Sequence, residues 1–123
     1  MSRPQAPMLL IVEDERAIVQ EIGDYFRQEG FIVRSAFDGR TGLEILEREK
    51  PSVVFLDLHL PDISGLEVLK RSRQLYPAVK VIVNSATLDS TLIEEARRLG
   101  CHVFVSKPFD LFAVRREIDG LAA

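Results

Sequence analysis

Five short apolar runs punctuate this chain, and the residues between them carry their apolar positions at helical spacing. The runs are Met8-Leu9-Leu10-Ile11-Val12, Phe31-Ile32-Val33, Val53-Val54-Phe55-Leu56, Val79 to Val83 (interrupted by Lys80) and Val103-Phe104-Val105. A run without polar alternation suits a strand covered on both faces, and β-branched and aromatic content favours strand over helix. Between the runs, Ile18, Ile22, Tyr25 and Phe26 share one helical face, closed by Gly30. Leu43 and Leu46 mark a second helix ending before Pro51, and Leu66, Val68 and Leu69 a third between Gly65 and Pro77. Leu92, Ala96 and Leu99 mark a fourth, stopped by Gly100; Leu111, Val114, Ile118 and Leu121 mark the last.

This alternation predicts an α/β fold. Parallel strands joined by helices need right-handed crossovers, which place helices on both faces of one sheet. The expected architecture is a doubly wound, five-stranded parallel sheet. Such sheets bind ligands beyond the carboxyl ends of their strands, where strand order reverses. A chain of 123 residues fits one domain, read here as 1–123 with residues 1–7 as a flexible N-terminal extension.

Composition narrows the function classes. At 46% hydrophobic the chain can bury a core, and a net charge of −3 gives no strong field for nucleic acid or anionic lipid. Direct nucleic-acid binding and membrane association are therefore not expected. No apolar run approaches the ~20 residues of a membrane-spanning helix, and the opening residues lack a signal-peptide core, so a cytoplasmic location is expected. Cys101 is the single cysteine and reads as a buried structural thiol. His102 reads as exposed and without a partner.

The chemistry concentrates at the ends of the runs. Glu13 and Asp14 follow the first, Asp57 ends the third, Ser85 lies past the fourth and Lys107 past the fifth. In a doubly wound sheet these scattered residues meet at one edge. Gathered carboxylates repel, and a divalent cation relieves that; oxygen ligands suit Mg²⁺, which often shares its shell with phosphate. Lys107 adds a second positive charge and Ser85 a hydroxyl donor. Together they form a cradle for a phosphoryl group on a carboxylate nucleophile.

The segments Leu10-Ile11-Val12-Glu13-Asp14-Glu15, Phe55-Leu56-Asp57-Leu58-His59-Leu60-Pro61-Asp62-Ile63-Ser64-Gly65, Val83-Asn84-Ser85-Ala86 and Phe104-Val105-Ser106-Lys107-Pro108-Phe109 resemble those of receiver domains of two-component response regulators. The match is in the right order and covers nearly the whole chain. The resemblance implies a flavodoxin-like (βα)5 receiver fold with strand order 2-1-3-4-5. It implies Asp57 as phospho-acceptor, assisted by Lys107 and Ser85. It also implies Mg²⁺ (or Mn²⁺) held by Asp14, Asp57, the backbone carbonyl of His59 and, through water, Glu13. Ser85 and Phe104 become the switch residues. His59 and Thr87 border the attacking water and set the lifetime of the acyl phosphate.

The implied phosphodonor is a sensor histidine kinase or histidine phosphotransfer protein. The surface spanning Leu88 to Arg98, Val103 to Val105 and Leu111 to Ile118 becomes the face for an output domain, a downstream protein or a phosphorylation-dependent homodimer. Self-phosphorylation and slow autodephosphorylation are the only chemistry implied, so the chain is not expected to be an enzyme. It departs from the family pattern at three places: Glu13 stands where aspartate is common, Ser85 where threonine is common, and Phe104 where tyrosine is common. Phe104 can rotate but offers no phenolic hydrogen bond. Ala86 is small, as access to a phosphoryl group demands.

Other readings compete. Glu13 and Asp14 also suit the start of a helix, where acids favour the dipole. Pro108 suits the first turn of the last helix, and Ser85, Thr87 or Asp89 the cap of the fourth. A phosphate-independent pseudo-receiver, acting only as a protein-interaction module, would be expected to lose Asp57, Lys107 or the acidic pair. A flavin- or nucleotide-binding enzyme would need a glycine-rich loop after the first strand, where Glu13-Asp14 sits instead.

Overall fold

The computed structural model describes residues 6–86 and 89–122. Strands and helices alternate strictly: β1 (Met8–Val12), α1 (Arg16–Gln28), β2 (Ile32–Ala36), α2 (Gly39–Glu49), β3 (Val53–Asp57), α3 (Gly65–Leu75), β4 (Lys80–Ser85), α4 (Ser90–Arg98), β5 (Val103–Ser106) and α5 (Leu111–Ala122). The five strands form one parallel sheet in the order β2-β1-β3-β4-β5. That is the doubly wound arrangement expected from the sequence. Strand order reverses between β1 and β3, which fixes where a ligand crevice belongs.

Alternating residues of the central strands face opposite layers. Leu10, Val12, Val54, Leu56, Val81 and Val83 pack with Leu46, Val68, Leu69 and Ala96 of α2, α3 and α4. Leu9, Ile11, Phe55 and Ile82 pack with Ile22 and Phe26 of α1 and with Val114 and Ile118 of α5. Because both faces are covered, the middles of β1, β3 and β4 need apolar residues on both sides, which is why they read as apolar runs, with Lys80 at the amino end of β4 the one interruption.

The edge strands depart from that rule. The apolar run Phe31-Ile32-Val33 predicts a strand there, but β2 runs from Ile32 to Ala36. Phe31 belongs to the close of α1, donating its N–H to the Phe26 carbonyl at 2.9 Å beside Gly30, whose φ is +91°. Arg34 and Ser35 are polar because β2 has only β1 as a neighbour. At the other ends, β3, β4 and β5 extend beyond their apolar runs to take in Asp57, Asn84, Ser85 and Ser106. Polar residues at the carboxyl ends are thus part of the strands.

Two local readings, for Pro108 and His102, are corrected, and Asp89 is the cap among the candidates for the fourth helix. Pro108 does not open the last helix: α5 begins at Leu111, and Asp110 accepts from Phe112 N–H at 2.8 Å. Asp89 caps α4, accepting from Thr91 N–H at 2.9 Å. His102 is half-buried, and its Nδ1 accepts from Val81 N–H at 3.1 Å, so it does have a partner. Cys101 is half-buried against the α2–α4 core, and burial pushes its thiol pKa up, consistent with an inert thiol. Of the extension expected over residues 1–7, residues 1–5 lie outside the described residues, and Pro7 accepts from Ile32 N–H at 2.9 Å. No helix among the described residues is long and apolar enough to cross a membrane.

Candidate functional site

The carboxyl ends of β1, β3, β4 and β5 bring the polar residues together. Glu13 directly follows β1, and its N–H continues the ladder to the Ala36 carbonyl at 3.0 Å, which fixes its direction. Its side chain is fully buried, whereas Asp14, one residue on, is exposed. Asp57 is the last residue of β3, 3% exposed, and pairs in register with Asn84 of β4. Ser85 is therefore one step beyond Asp57 on the neighbouring strand, and it too is buried. Lys107 follows β5, tied by its own N–H to the Ser85 carbonyl at 2.9 Å.

Lys107 reaches back across the sheet to hold two carboxylates. Its Nζ lies 2.8 Å from Glu13 Oε1 and 3.2 Å from Asp57 Oδ2. Burial disfavours the ammonium, but the two carboxylates outweigh it and raise the lysine pKa. Glu13 goes the other way: burial, with Asp57 beside it, pushes its carboxyl up to about 7 despite Lys107 and the Glu15 N–H. One ammonium between two buried acids leaves the cluster short of positive charge.

Glu13, Asp14 and Asp57 each present a carboxylate oxygen, and these oxygens all lie within 4.8 Å of one another. The donor set is all hard oxygen, mixes buried and exposed acids, and stays open to water on the Asp14 side, as a Mg²⁺ site requires. The residues present fit the ion.

His59 lies at the rim of the site, between the ends of β3 and β4. Its N–H donates to Asp57 Oδ1 at 3.0 Å, and its exposed imidazole lies with Nε2 3.2 Å from Ser85 Oγ. Phe104 is half-buried against the α2–α4 side of the core. Ala86 is exposed and shares a groove with Lys107, Pro108 and Phe109. Thr87 and Leu88 lie outside the described residues. The structure thus brings Glu13, Asp14, Asp57, Ser85, Lys107 and His59 to one edge of the sheet.

Two supports of the site are not evident from the sequence patterns. Asp62, in the loop after β3, accepts from Gly39 N–H at 2.8 Å and from Arg40 N–H at 2.9 Å, capping α2 from outside that helix. Its slight burial would raise its pKa, but these backbone donors outweigh that and lower it. Gly65, the first residue of α3, packs so tightly that a Cβ there would meet Leu58 Cα at 2.4 Å and the Asp57 carbonyl at 2.6 Å. Only glycine lets α3 begin directly beneath the end of β3. Asn84 is a third surprise: it is fully buried, and neither its amide nitrogen nor its oxygen has a partner among the described residues.

Comparisons with known proteins agree with this geometry. The family model for the response regulator receiver domain matches residues 9–119. Sporulation initiation phosphotransferase F of Bacillus subtilis (strain 168) is 33% identical over 107 residues, covering 87% of this chain and 86% of that protein. Regulatory protein AtoC of Escherichia coli (strain K12) is 34% identical over 103 residues, covering 84% of this chain but only 22% of the larger relative. Among solved structures, a CheY-like response regulator receiver domain protein from Methanospirillum hungatei JF-1 superposes with a TM-score of 0.92 at 25% identity, covering 96% of this chain and 95% of that one. The Francisella response regulator 1452 receiver domain gives 0.87 at 26% identity, covering 94% and 95%.

Proposed function

We propose, from the premise that this chain belongs to the response regulator receiver domain family over residues 9–119, that it accepts a phosphoryl group on Asp57 and signals by changing shape. The observation that carries this is the Lys107 ammonium set between the buried Glu13 and Asp57 carboxylates at the carboxyl edge of the sheet. A relative named a phosphotransferase over nearly its whole length supports the same reading.

In this reading an Asp57 carboxylate oxygen attacks phosphorus in line, forming an acyl phosphate. The bond to the donor breaks, and its electron pair leaves with the histidine nitrogen of a kinase or phosphotransfer protein, or with the leaving oxygen of a small phosphodonor. Lys107 is already within reach of the acceptor and neutralises charge building on the phosphoryl oxygens. Asp14 and Asp57 would hold Mg²⁺ (or Mn²⁺) with the His59 carbonyl, and Glu13 would act through water. The bound ion supplies further charge neutralisation at those oxygens. Ser85 donates its hydroxyl to the phosphorylated group, and Phe104 follows by repacking against the α4–β5 surface. His59 and Thr87 govern access of hydrolytic water.

The output leaves through the α4-β5-α5 face, to a partner protein, an attached domain or a second copy. The chain is a signalling domain in this account and not an enzyme; self-phosphorylation and slow autodephosphorylation are its whole chemistry. The site works in the cytoplasm, where the phosphodonors are.

The test is the intact mass of the chain incubated with Mg²⁺ and acetyl phosphate, beside Asp57→Asn. A single labile phosphoryl adduct, lost in the mutant and in excess chelator, is expected. No adduct, under conditions that label a control receiver, would replace this reading with that of a phosphate-independent interaction module.

A further inference from the structure

We propose that the His59 imidazole is a latch on Ser85: it holds the hydroxyl and must release it before the switch can engage. The proposal rests on the receiver reading above and adds a regulatory element to it. His59 touches both the acceptor carboxylate and the switch hydroxyl, through its N–H on Asp57 Oδ1 at 3.0 Å and its ring on Ser85 Oγ at 3.2 Å. One residue therefore bridges the ends of β3 and β4 alongside the acceptor carboxylate.

The competition follows from hydrogen-bond capacity. Ser85 is fully buried, so its hydroxyl must find partners within the protein. Whichever tautomer the ring holds, its contact with Oγ favours one direction of the hydroxyl oxygen, as donor or as acceptor. Donation to a phosphoryl oxygen on Asp57 calls for the same oxygen to turn. The ring has room to move aside: a cavity of about 440 Å³ lies beside it, lined by Asp14, Leu60, Ser64 and Leu92 among others. His59 is thus a positioning residue acting through Ser85, distinct from any effect on water attack at the acyl phosphate. The latch raises the threshold for switching on, whereas control of water access sets how long the on-state lasts.

The experiment is a double-mutant cycle on beryllofluoride affinity, a phosphoryl stand-in, followed by ¹⁹F NMR in Mg²⁺. The proteins are wild type, His59→Phe, Ser85→Ala and the double variant. Phenylalanine keeps the ring's bulk and removes its hydrogen bond, and the position is exposed, so folding is spared. Affinity should tighten about fivefold in His59→Phe, the worth of one ordinary hydrogen bond, and His59→Phe should change nothing in the Ser85→Ala background. Without metal or beryllofluoride, three-bond couplings should show one dominant Ser85 χ1 rotamer in wild type and a mixture in His59→Phe. Equal or weaker affinity in His59→Phe, or the same gain with and without the Ser85 hydroxyl, overturns the latch alone. A wild type that binds no beryllofluoride and forms no Asp57-dependent adduct overturns the receiver reading, and the latch with it.

Discussion

The two ends of the sheet treat buried polar groups in opposite ways. At the amino end of β4 and β5, polar side chains serve the backbone: His102 Nδ1 accepts from Val81 N–H, and Arg73 Nη1 donates to the carbonyls of Pro77 at 2.8 Å and Val79 at 2.7 Å. At the carboxyl end they also meet one another: besides accepting from the Glu15 and His59 N–H groups, Glu13 and Asp57 are both held by Lys107, and His59 contacts Ser85, while the Asn84 carboxamide has no partner among the described residues. A polar side chain that completes a backbone hydrogen bond is structural, and its loss costs stability. Side chains crowded against each other in a buried cluster are held at the expense of stability and are available for chemistry. The amino end completes backbone hydrogen bonds; the carboxyl end gathers charged and hydroxyl side chains against one another.

The strongest way to break this contrast is to push the carboxyl end apart. Gly65→Ala places a methyl group against the backbone of Leu58 and Asp57, which cannot move aside as a flexible side chain could. A loss of about 3 kcal/mol in urea denaturation is expected, since overpacking against a rigid partner sits at the upper end of its range. Phosphoryl acceptance should fall with it, because the start of α3 and the end of β3 shift together. A variant as stable as wild type would mean that the close approach is not needed to place Asp57.

Next is a change expected to help. Asn84→Leu replaces a buried carboxamide that has no partner among the described residues with an apolar group of similar shape. The neighbouring core residues on that face, Ile82 and Phe55, favour the exchange. A gain of about 1–2 kcal/mol is expected, the desolvation penalty of an unsatisfied polar group being removed. A loss of stability would show that a bound water or ion completes the amide, and would bring Asn84 into line with the amino end.

These contrasts also explain how much could be read from the chain. The strands β1, β3 and β4 were legible because both faces are covered, so apart from Lys80 at the start of β4 their residues are apolar until the site begins. The break in each run was itself the signal: Glu13, Asp57 and Ser85 stand where an apolar strand meets polar chemistry. The edge strand β2 was placed poorly because one flank is open, so Arg34 and Ser35 can sit within a strand. Asp62 was invisible as a cap because the N–H groups it serves, Gly39 and Arg40, lie more than twenty residues upstream. His102 was misread for the same reason, its partner Val81 being far away in sequence. Local patterns report burial well, but they do not say which distant backbone group a polar side chain will complete.

A smaller effect sharpens the contrast from the amino end. Removing the His102 ring in His102→Ala takes away the acceptor for Val81 N–H, and about 1 kcal/mol should be lost, modest because the site is half-buried. The sign is opposite to that of Asn84→Leu, and that opposition is the point of the pair.

The same histidine gives a pH signature. Burial, then the nearby Arg73 and Lys80 charges, hold its pKa below the ordinary value of 6.5. The Val81 N–H pointing at Nδ1 likewise requires that nitrogen to stay unprotonated. Between the two pKa values the unfolded chain therefore binds a proton that the folded chain refuses, so stability rises with pH across that window. The contribution is complete above 6.5 and is lost as pH falls from there through the lower, folded-state value. His102→Gln supplies an amide oxygen to accept from Val81 but cannot titrate. Wild type should therefore lose more stability than His102→Gln between pH 7.5 and pH 5 in matched urea titrations. Parallel pH profiles would mean that the ring is protonated as easily in the fold as outside it. The amino end would then hold a third positive charge beside Arg73 and Lys80, and the distinction between the two ends of the sheet would fail at its clearest residue.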